Sequence, residues 1–248
     1  MSGTRSPSLK APATKAAIIV SHGQPSDPDP AEAALAQLST RVAEILPDWQ
    51  IASATLAAPG ALDSAVAAVG RGAAIYPLFM TDGWFTRTTL PNRLNDETAK
   101  ILAPLGADTA LPEIAQAWLL DELKQKGWTA QETCLVIASH GSGKSRNSAR
   151  DTQRFADRLA TRIQFGDTRI GFIEEAPFLG DVVFDTGKKS ICLPFFAAGG
   201  GHVTDDIPEA LDLAEFAGLR LQPIGTRDTI PTLIANALRT YAQQTEAA

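Results

Sequence analysis

Three histidines are the residues best suited to chemistry in this chain of 248 residues. His22 and His140 each lie in a Ser-His-Gly triplet after an apolar run, and His202 follows three consecutive glycines. An imidazole titrates near neutral pH, so it can transfer protons or bind a borderline divalent metal. Structural zinc needs four ligands that close its site, so a histidine pair is better suited to a metal that is passed on.

The chain contains an internal repeat with an offset of 117 to 118 residues. AIIVSHG at 17–23 recurs as LVIASHG at 135–141, which aligns His22 with His140. IYPLF at 75–79 recurs as CLPFF at 192–196. Two further matches, in the same order, align Pro59 with Pro177 and Pro91 with Pro208. Several anchors in one order predict two copies of one fold.

Each copy alternates short apolar runs with amphipathic segments. Strands without polar alternation, separated by helices, indicate a parallel sheet that is covered on both faces. The predicted fold class is α/β, with two tandem, repeat-related, doubly wound parallel-sheet domains facing each other across a cleft. We expect a flexible N-terminus at 1–14 and lobes at 15–127 and 128–248. In the first copy the predicted elements after the first strand are a helix at Pro30–Leu46, a strand at Ile51–Leu56, a helix at Leu62–Arg71, a strand at Ala73–Phe79, a helix at Leu90–Leu105, and a last strand and helix.

The carboxyl ends of the strands are where ligands bind in such sheets. If the first and third strands are neighbours, His140 and His202 converge on one edge of the second sheet. The offset places Phe85 where the second copy has His202, so only the second copy keeps a pair. A lone histidine at a strand end is usually structural, but here all three occupy repeat-related strand ends. This asymmetry predicts one active centre.

Positive side chains follow His140 in the segment ASHGSGKS at 138–145. This segment is similar to the end of a phosphate-binding loop, but Ala138 stands where that motif needs its first glycine. Ser142, Lys144 and Arg146 are better explained as contacts for a carboxylate-rich ligand. Arginines continue at every fourth residue to Arg162, and beyond the first one or two we expect a solvated face, with Asp151 and Asp157 nearby.

The overall composition favours a cytoplasmic protein without a nucleic-acid or membrane partner. The formal net charge is −6, and no apolar run approaches the ~20 residues that a membrane span needs. The N-terminus lacks the apolar core of a secretory signal. Cys134 and Cys192 lie in apolar runs, which predicts buried, inert thiols.

The two SHG triplets, and above all PFFAAGGGHVTDDIP at 194–208, resemble the sirohydrochlorin chelatase family, the single-subunit, ATP-independent tetrapyrrole chelatases. The resemblance covers residues 16–243. It implies insertion of Fe²⁺ or Co²⁺ into sirohydrochlorin between two lobes, towards sirohaem or cobalamin, with no permanently bound cofactor. The catalytic and metal-binding roles of the family's histidines fall on His140 and His202.

The resemblance also implies a flat, carboxylate-rich substrate beside these histidines. Glycines leave space for such a ring, and cations would bind its carboxylates. Arg93 joins Arg87 as a possible cationic partner from the first half. The predicted substrate-binding residues are His22, Trp84, Phe85, Arg87, Ser142, Lys144, Arg146, Gly200 and Gly201.

The position of the histidine pair departs from the pattern of the family. Two-lobed sirohydrochlorin enzymes are expected to carry the pair in the first half, where this chain has Phe85. A pair in the second half is similar to the related anaerobic cobaltochelatases and protoporphyrin ferrochelatases. The role of His22 stays open, as does the partner acid, for which the candidates are Glu174, Glu175, Asp82 and Asp205. The chain lacks the His-rich stretch and CxxC extension of some cobalt-handling members, which favours iron.

Two other functions are compatible with the sequence. A tetrapyrrole carrier would bind sirohydrochlorin or sirohaem without turnover. A nucleotide-binding enzyme would use GSGKS, against which the missing first glycine counts. The fused repeat favours a monomer, and a homodimer stays open.

Overall fold

A computed structural model describes residues 15–94, 96–142 and 147–247 of the chain. Its eight strands form two parallel sheets of four, with the repeat-related orders β2-β1-β3-β4 and β6-β5-β7-β8. The first sheet contains β1 (Lys15–Ser21), β2 (Trp49–Thr55), β3 (Ala74–Pro77) and β4 (Lys100–Ile101). The second contains β5 (Cys134–Ser139), β6 (Asp167–Phe172), β7 (Ser190–Pro194) and β8 (Leu219–Arg220). The predicted α/β class with two related parallel sheets is confirmed.

Helices cover both faces of each sheet. In the first half they are α1 (Pro28–Ile45), α2 (Ala61–Val69), α3 (Leu90–Leu94) and α4 (Leu111–Lys126). In the second half they are α5 (Asn147–Ala160), α6 (Leu179–Val183), α7 (Ile207–Leu213) and α8 (Ile230–Glu246). The structure describes no helix long and apolar enough to cross a membrane. The N-terminus predicted to be flexible, 1–14, lies outside the described residues.

The predicted helix at Leu90–Leu105 is wrong in its second part. Helix α3 ends at Leu94, and the chain then forms β4 at the edge of the sheet, paired with β3. The carboxylate of Asp96 accepts hydrogen bonds from the backbone N–H groups of Gly72 and Thr98 and from Thr98 Oγ1. Such local bonds compete with helix formation, so a turn at Asp96 replaces the helix.

The core has three parts, because each sheet has two covered faces. The outer face of the first sheet packs Ile18 and Ile75 under α2 and α3. The outer face of the second sheet packs Val136 and Cys192 under α6 and α7. The two inner faces share one continuous cluster with α1, α4, α5 and α8. That shared cluster fixes the two halves against each other.

The last helix of each half packs against the other half. Helix α4 lies against α5, and α8 lies against α1. The Arg227 guanidinium carbon sits 4.3 Å from the centroid of the Trp118 ring, and Arg239 Nη2 donates to the Ile45 carbonyl at 2.9 Å. The boundary between lobes at residues 127 and 128 separates the sheets but not the packing, so it stays a prediction.

Candidate metal centre

The Ser-His-Gly triplet places a histidine just beyond the first strand of each half. Gly141 has a φ of +75°, and a Cβ on it would lie 2.9 Å from the Cβ of Phe172. Gly23 has a φ of +76°, and its Cβ would lie 2.6 Å from the Cβ of Thr55. Both positions therefore require glycine, because a side chain would strain the left-handed backbone and collide with the neighbouring strand.

Backbone hydrogen bonds extend the pairing of β5 and β6 beyond the ends of the strands. Ile173 N donates to Ser139 O at 3.0 Å, and Glu174 N donates to His140 O at 2.9 Å. Glu174 is thereby held beside His140, with its Oε2 3.7 Å from His140 Nδ1. The register of the sheet thus positions the first carboxylate of the site.

His202 begins a π-helical turn, His202–Asp206, which follows β7 and leads into α7. Because β7 pairs with β5, this turn lies at the same sheet edge as His140. The two imidazoles meet edge to face, with ring centroids 4.3 Å apart and planes at 80°. Their side chains are 43% and 38% exposed, so the pair is open to a ligand. The structure brings the two predicted ligands together as the sheet order requires.

Hydrogen bonds fix the tautomer of both imidazoles. His140 Nδ1 donates to the Gly141 carbonyl at 2.9 Å, and His202 Nδ1 donates to Asp206 Oδ2 at 2.5 Å. The Gly141 carbonyl can only accept, so His140 Nδ1 carries the hydrogen of its bond, and a carboxylate at Asp206 gives His202 Nδ1 the same role. Each Nε2 then keeps its lone pair for a metal or a proton. Orientation of a histidine through its second nitrogen is typical of metal ligands.

Glu174 completes a group of three possible ligands with the histidine pair. One ligand atom from each of His140, Glu174 and His202 lies within 4.8 Å of the other two. Two imidazole nitrogens and a carboxylate oxygen suit a divalent transition metal. Three protein ligands leave coordination positions open, as in catalytic rather than structural metal sites.

The glycines before His202 leave the surface of the site uncovered. A Cβ on Gly199 or Gly200 would have no described neighbour within 4 Å, and one on Gly201 would meet only Asp205 Oδ2, at 3.7 Å. None of the three has a positive φ. Neither backbone conformation nor internal packing therefore requires glycine at these three positions. Because glycine has no side chain, the space beside the imidazole stays open.

The first half keeps the scaffold of this site but has lost most of its polar groups. Phe85 begins a π-helical turn, Phe85–Thr89, that corresponds to the turn of His202. Thr89 Oγ1 is buried and has no hydrogen-bond partner among the described residues. His22 alone remains as a possible ligand. In the repeat alignment the replacements are Phe85 for His202, Thr89 for Asp206 and Leu56 for Glu174.

Aromatic rings dominate this counterpart site. Trp84 is 65% exposed, and its ring centroid lies 5.2 Å from that of Phe85. The ring of Phe79 stacks on that of Phe85, with centroids 6.0 Å apart. Arg93 Nη1 donates to the carbonyl of Leu56. The first half thus offers an apolar wall with a guanidinium beside it.

Of the other predicted substrate contacts, Arg87 and Ser142 are described and each binds a carboxylate of the protein. Arg87 donates through Nε and Nη2 to Asp82, at 3.0 and 2.6 Å. The backbone N–H of Ser142 donates to Glu175 Oε1 at 2.9 Å. Lys144 and Arg146 lie outside the described residues.

One of the four candidate acids lies at the histidine pair, and a further acid was not predicted. Glu174 is a member of the ligand group, whereas Asp82 binds Arg87 and Glu175 binds Ser142. Asp205 lies in the turn of His202 but is not in the described ligand group. Asp206, absent from the candidates, holds His202. Its position four residues after His202 was the available signal, because residues at that spacing face each other on a helical turn.

Comparisons with known proteins point to the same half of the chain. A family model described as CbiX matches residues 134–241, which include all three ligands. The sirohydrochlorin cobaltochelatase of Methanosarcina barkeri is 35% identical over 109 residues, 42% of this chain and 82% of that protein. A probable sirohydrochlorin cobaltochelatase of Halobacterium salinarum is 23% identical over 163 residues. That match covers 54% of this chain and only 55% of the relative's length.

Solved structures extend the likeness to both halves. The structure of CbiX described as the terminal enzyme for biosynthesis of siroheme in denitrifying bacteria is 42% identical. It has a TM-score of 0.84 and covers 91% of this chain and 99% of its own. SirB from Bacillus subtilis with Fe³⁺, 16% identical with a TM-score of 0.75 over 94% of this chain and 98% of its own, shares the fold. Fold and site define a two-lobed α/β chelatase-type protein. The chain belongs to the CbiX family, the sirohydrochlorin chelatases.

Proposed function

We propose that this protein inserts a divalent metal into sirohydrochlorin without ATP, with Fe²⁺ as the favoured metal and Co²⁺ as the alternative. The observation that carries this function is the group of His140, Glu174 and His202 at an open sheet edge. The 42% identical CbiX protein described as a siroheme enzyme supports the same substrate.

The ligand group is suited to hold the metal only until transfer. One nitrogen of each imidazole and a carboxylate oxygen of Glu174 would hold the ion, and three protein ligands would leave positions for the tetrapyrrole. A site with four protein ligands would retain the ion. Nitrogen and oxygen donors bind iron and cobalt alike, so metal selection rests mainly on supply. The CbiX relative's link to siroheme, an iron compound, and the missing His-rich and CxxC segments support iron.

Metallation also requires a proton acceptor, because the incoming M²⁺ replaces the hydrogens of two pyrrole N–H groups. A base must lie within hydrogen-bond reach of those protons. When the metal moves to the pyrrole nitrogens, the imidazoles of His140 and His202 and the carboxylate of Glu174 lose their metal and become free to take protons. The same three side chains thus serve as ligands and then as bases.

The counterpart site of the first half supplies a wall for the macrocycle. Trp84 and Phe85 present aromatic surface on which a flat ring can stack, and His22 lies edge-on to Phe85. The open backbone at Gly200 and Gly201 admits the edge of the ring beside His202. Ser142, Lys144, Arg146 and Arg87 are proposed to bind its carboxylates. A chain that supplies both lobes favours a monomer, and we propose a cytoplasmic location.

The test is a metallation assay with purified protein, sirohydrochlorin and either Fe²⁺ or Co²⁺, followed by visible absorbance under anaerobic conditions. We expect both metals to be inserted faster than in protein-free buffer, and at comparable rates when the two are supplied at equal concentration, since the ligands do not select between them. Tight binding of sirohydrochlorin with no acceleration over buffer would instead show a tetrapyrrole carrier.

A further inference from the structure

A second group of charged side chains lies where the two halves meet. Ser139, the last residue of β5, shares a hydrogen bond with Thr152 of α5, with 2.8 Å between the two hydroxyl oxygens. The adjacent Asp151 accepts the backbone N–H of Asp82 through Oδ2 at 3.0 Å. Asp82 lies in the loop before the π-helical turn of the first half. These contacts connect the two sites directly.

Arginines from both halves surround the two carboxylates. Arg87 of the first half donates twice to Asp82. From α5, Arg150 Nε lies 3.4 Å and Arg154 Nη1 lies 3.5 Å from Asp151 Oδ1. The guanidinium of Arg87 lowers the pKa of Asp82, and the positive charge of Arg150, across the interface, acts in the same direction. Asp151, expected on a solvated face, is instead buried between the halves.

The exposure of these groups separates two roles. The Asp151 side chain is 7% exposed and accepts a hydrogen bond from the other half, so its role is to join the two halves. The guanidinium groups project outwards, since the side chains of Arg87 and Arg150 are 67% and 48% exposed. A guanidinium has five N–H donors, and within the described part of the chain Arg87 directs two of them at Asp82. Its remaining donors can bind a ligand.

We propose that Arg87 and Arg150 form a carboxylate-binding subsite that spans the two halves and selects tetrapyrroles with carboxylates on neighbouring pyrroles. The inference rests on the proposed function, because it takes the macrocycle to lie between the two sites. Asp82 and Asp151 hold the arginines in place before the ligand arrives, which lowers the entropy cost of binding. Guanidinium and carboxylate also match in geometry and charge. Each half supplies one arginine, so a ligand that reaches both is favoured over one that reaches a single cation.

Binding without metal tests the subsite. The probes are sirohydrochlorin and uroporphyrin, which carry carboxylates on every pyrrole, and pyrroporphyrin, a monocarboxylic porphyrin that carries one on a single pyrrole and cannot reach both arginines. Tryptophan quenching gives Kd for the wild type, Arg87→Gln, Arg150→Gln and the double variant. We expect each single change to weaken binding of the carboxylate-rich probes about three- to tenfold and the double change to weaken it further. Binding of pyrroporphyrin should change less than twofold in either single variant, because its one carboxylate needs only one arginine.

Arg154→Gln is the matched control, because Arg154 also contacts Asp151 but lies one helical turn farther along α5 from the strand ends. It should bind all probes as the wild type does. The subsite is overturned if Arg150→Gln binds the carboxylate-rich probes like the wild type, or if Arg154→Gln loses as much. A wild type that metallates sirohydrochlorin while Arg150→Gln is unchanged rejects only the subsite. A wild type that binds none of the probes rejects the proposed function and the subsite together.

Discussion

Phe85 packs edge to face against His22 with ring centroids 4.5 Å apart and planes at 88°, as His202 packs against His140 at 4.3 Å and 80°. The spacing of this ring pair therefore repeats to within a few tenths of an ångström while its chemistry does not. A phenyl ring offers no lone pair to a metal. This asymmetry agrees with the proposal that one half holds the ion while the other half provides an apolar surface.

The first prediction concerns this asymmetry. His140→Ala and His202→Ala should each lower kcat for metallation by about 10²- to 10⁴-fold, because each removes a metal ligand and a base. His22→Ala should act mainly on KM, with kcat within about tenfold of the wild type, since His22 has no neighbouring ligand. Steady-state rates followed by visible absorbance separate the two effects. Equal losses of kcat in His22→Ala and His202→Ala would contradict the assignment of the working half.

The second prediction concerns Asp206, which holds Nδ1 of His202. Asp206→Asn should weaken metal binding about 10- to 100-fold, because the amide no longer favours the Nδ1-protonated, correctly oriented imidazole. Titration with Co²⁺, followed by its absorption bands, measures the affinity. Asp205→Asn is the matched control, since among the described residues Asp205 makes no hydrogen bond to His202, and it should bind Co²⁺ like the wild type. The assignment fails if both variants bind equally well.

Most of the fold could be predicted from the sequence, because the repeat allowed each strand and helix to be identified in two aligned copies. Buried strands such as Ala17–Val20 lack polar alternation. The convergence of His140 and His202 was predicted on the condition that the first and third strands are neighbours, and both sheets meet that condition. The prediction that the helix continues beyond Leu94 was wrong. The hydrogen bonds that the Asp96 carboxylate accepts stabilise a turn there in place of the helix. The packing of α4 against α5 and of α8 against α1 could not be predicted either. An apolar helix face does not specify which half of the molecule it packs against.

Those residues of the site whose location depends only on the ends of the strands could be predicted from the sequence. His140 and His202 were found because both follow strands, and Glu174 was a candidate without a rank because its place depends on how the β5–β6 ladder continues. Asp206 was missed because the sequence shows a loop after the glycines, whereas the structure forms a π-helical turn there. Only the turn brings its carboxylate to the imidazole.

The third prediction concerns the two cysteines. Burial raises the pKa of Cys192 to about 12, and burial with the nearby charge of Asp167 raises the pKa of Cys134 to about 11. At pH 8 the thiolate fraction is then about 10⁻³ or less, and thiolate is the reactive form. Native protein should react with Ellman's reagent on a timescale of hours, and guanidinium-unfolded protein should release both thiols within a minute. Rapid reaction of either thiol in the native state would contradict the buried, inert assignment.

The fourth prediction is a pH dependence of stability at Asp96. The hydroxyl of Thr98, the N–H of Gly72 and the charge of Arg71 stabilise the carboxylate and lower its pKa to about 2. An unfolded aspartate has a pKa near ~3.9, so the stabilisation is fully present above about pH 4 and is lost as the pH falls towards 2. Asp96→Asn should therefore lower Tm at pH 7, and the difference from the wild type should shrink between pH 4 and 3. A difference that stays constant with pH would exclude the charge as its cause.

The fifth prediction concerns Gly225, whose N–H donates to the Phe196 carbonyl in the segment between β7 and His202. A Cβ on Gly225 would lie 2.2 Å from the carbonyl oxygen of Ala197, so the backbone must move to admit one. Gly225→Ala should lower the free energy of unfolding by about 1–3 kcal/mol, as overpacking does, and Tm by several degrees. Gly180→Ala is the control, because its Cβ would lie 3.9 Å from the nearest atom, within α6, where alanine is favoured over glycine by about 1 kcal/mol. Urea denaturation of both variants measures their free energies of unfolding. If Gly225→Ala is as stable as Gly180→Ala, the backbone at Gly225 can move away from Ala197 without loss of stability.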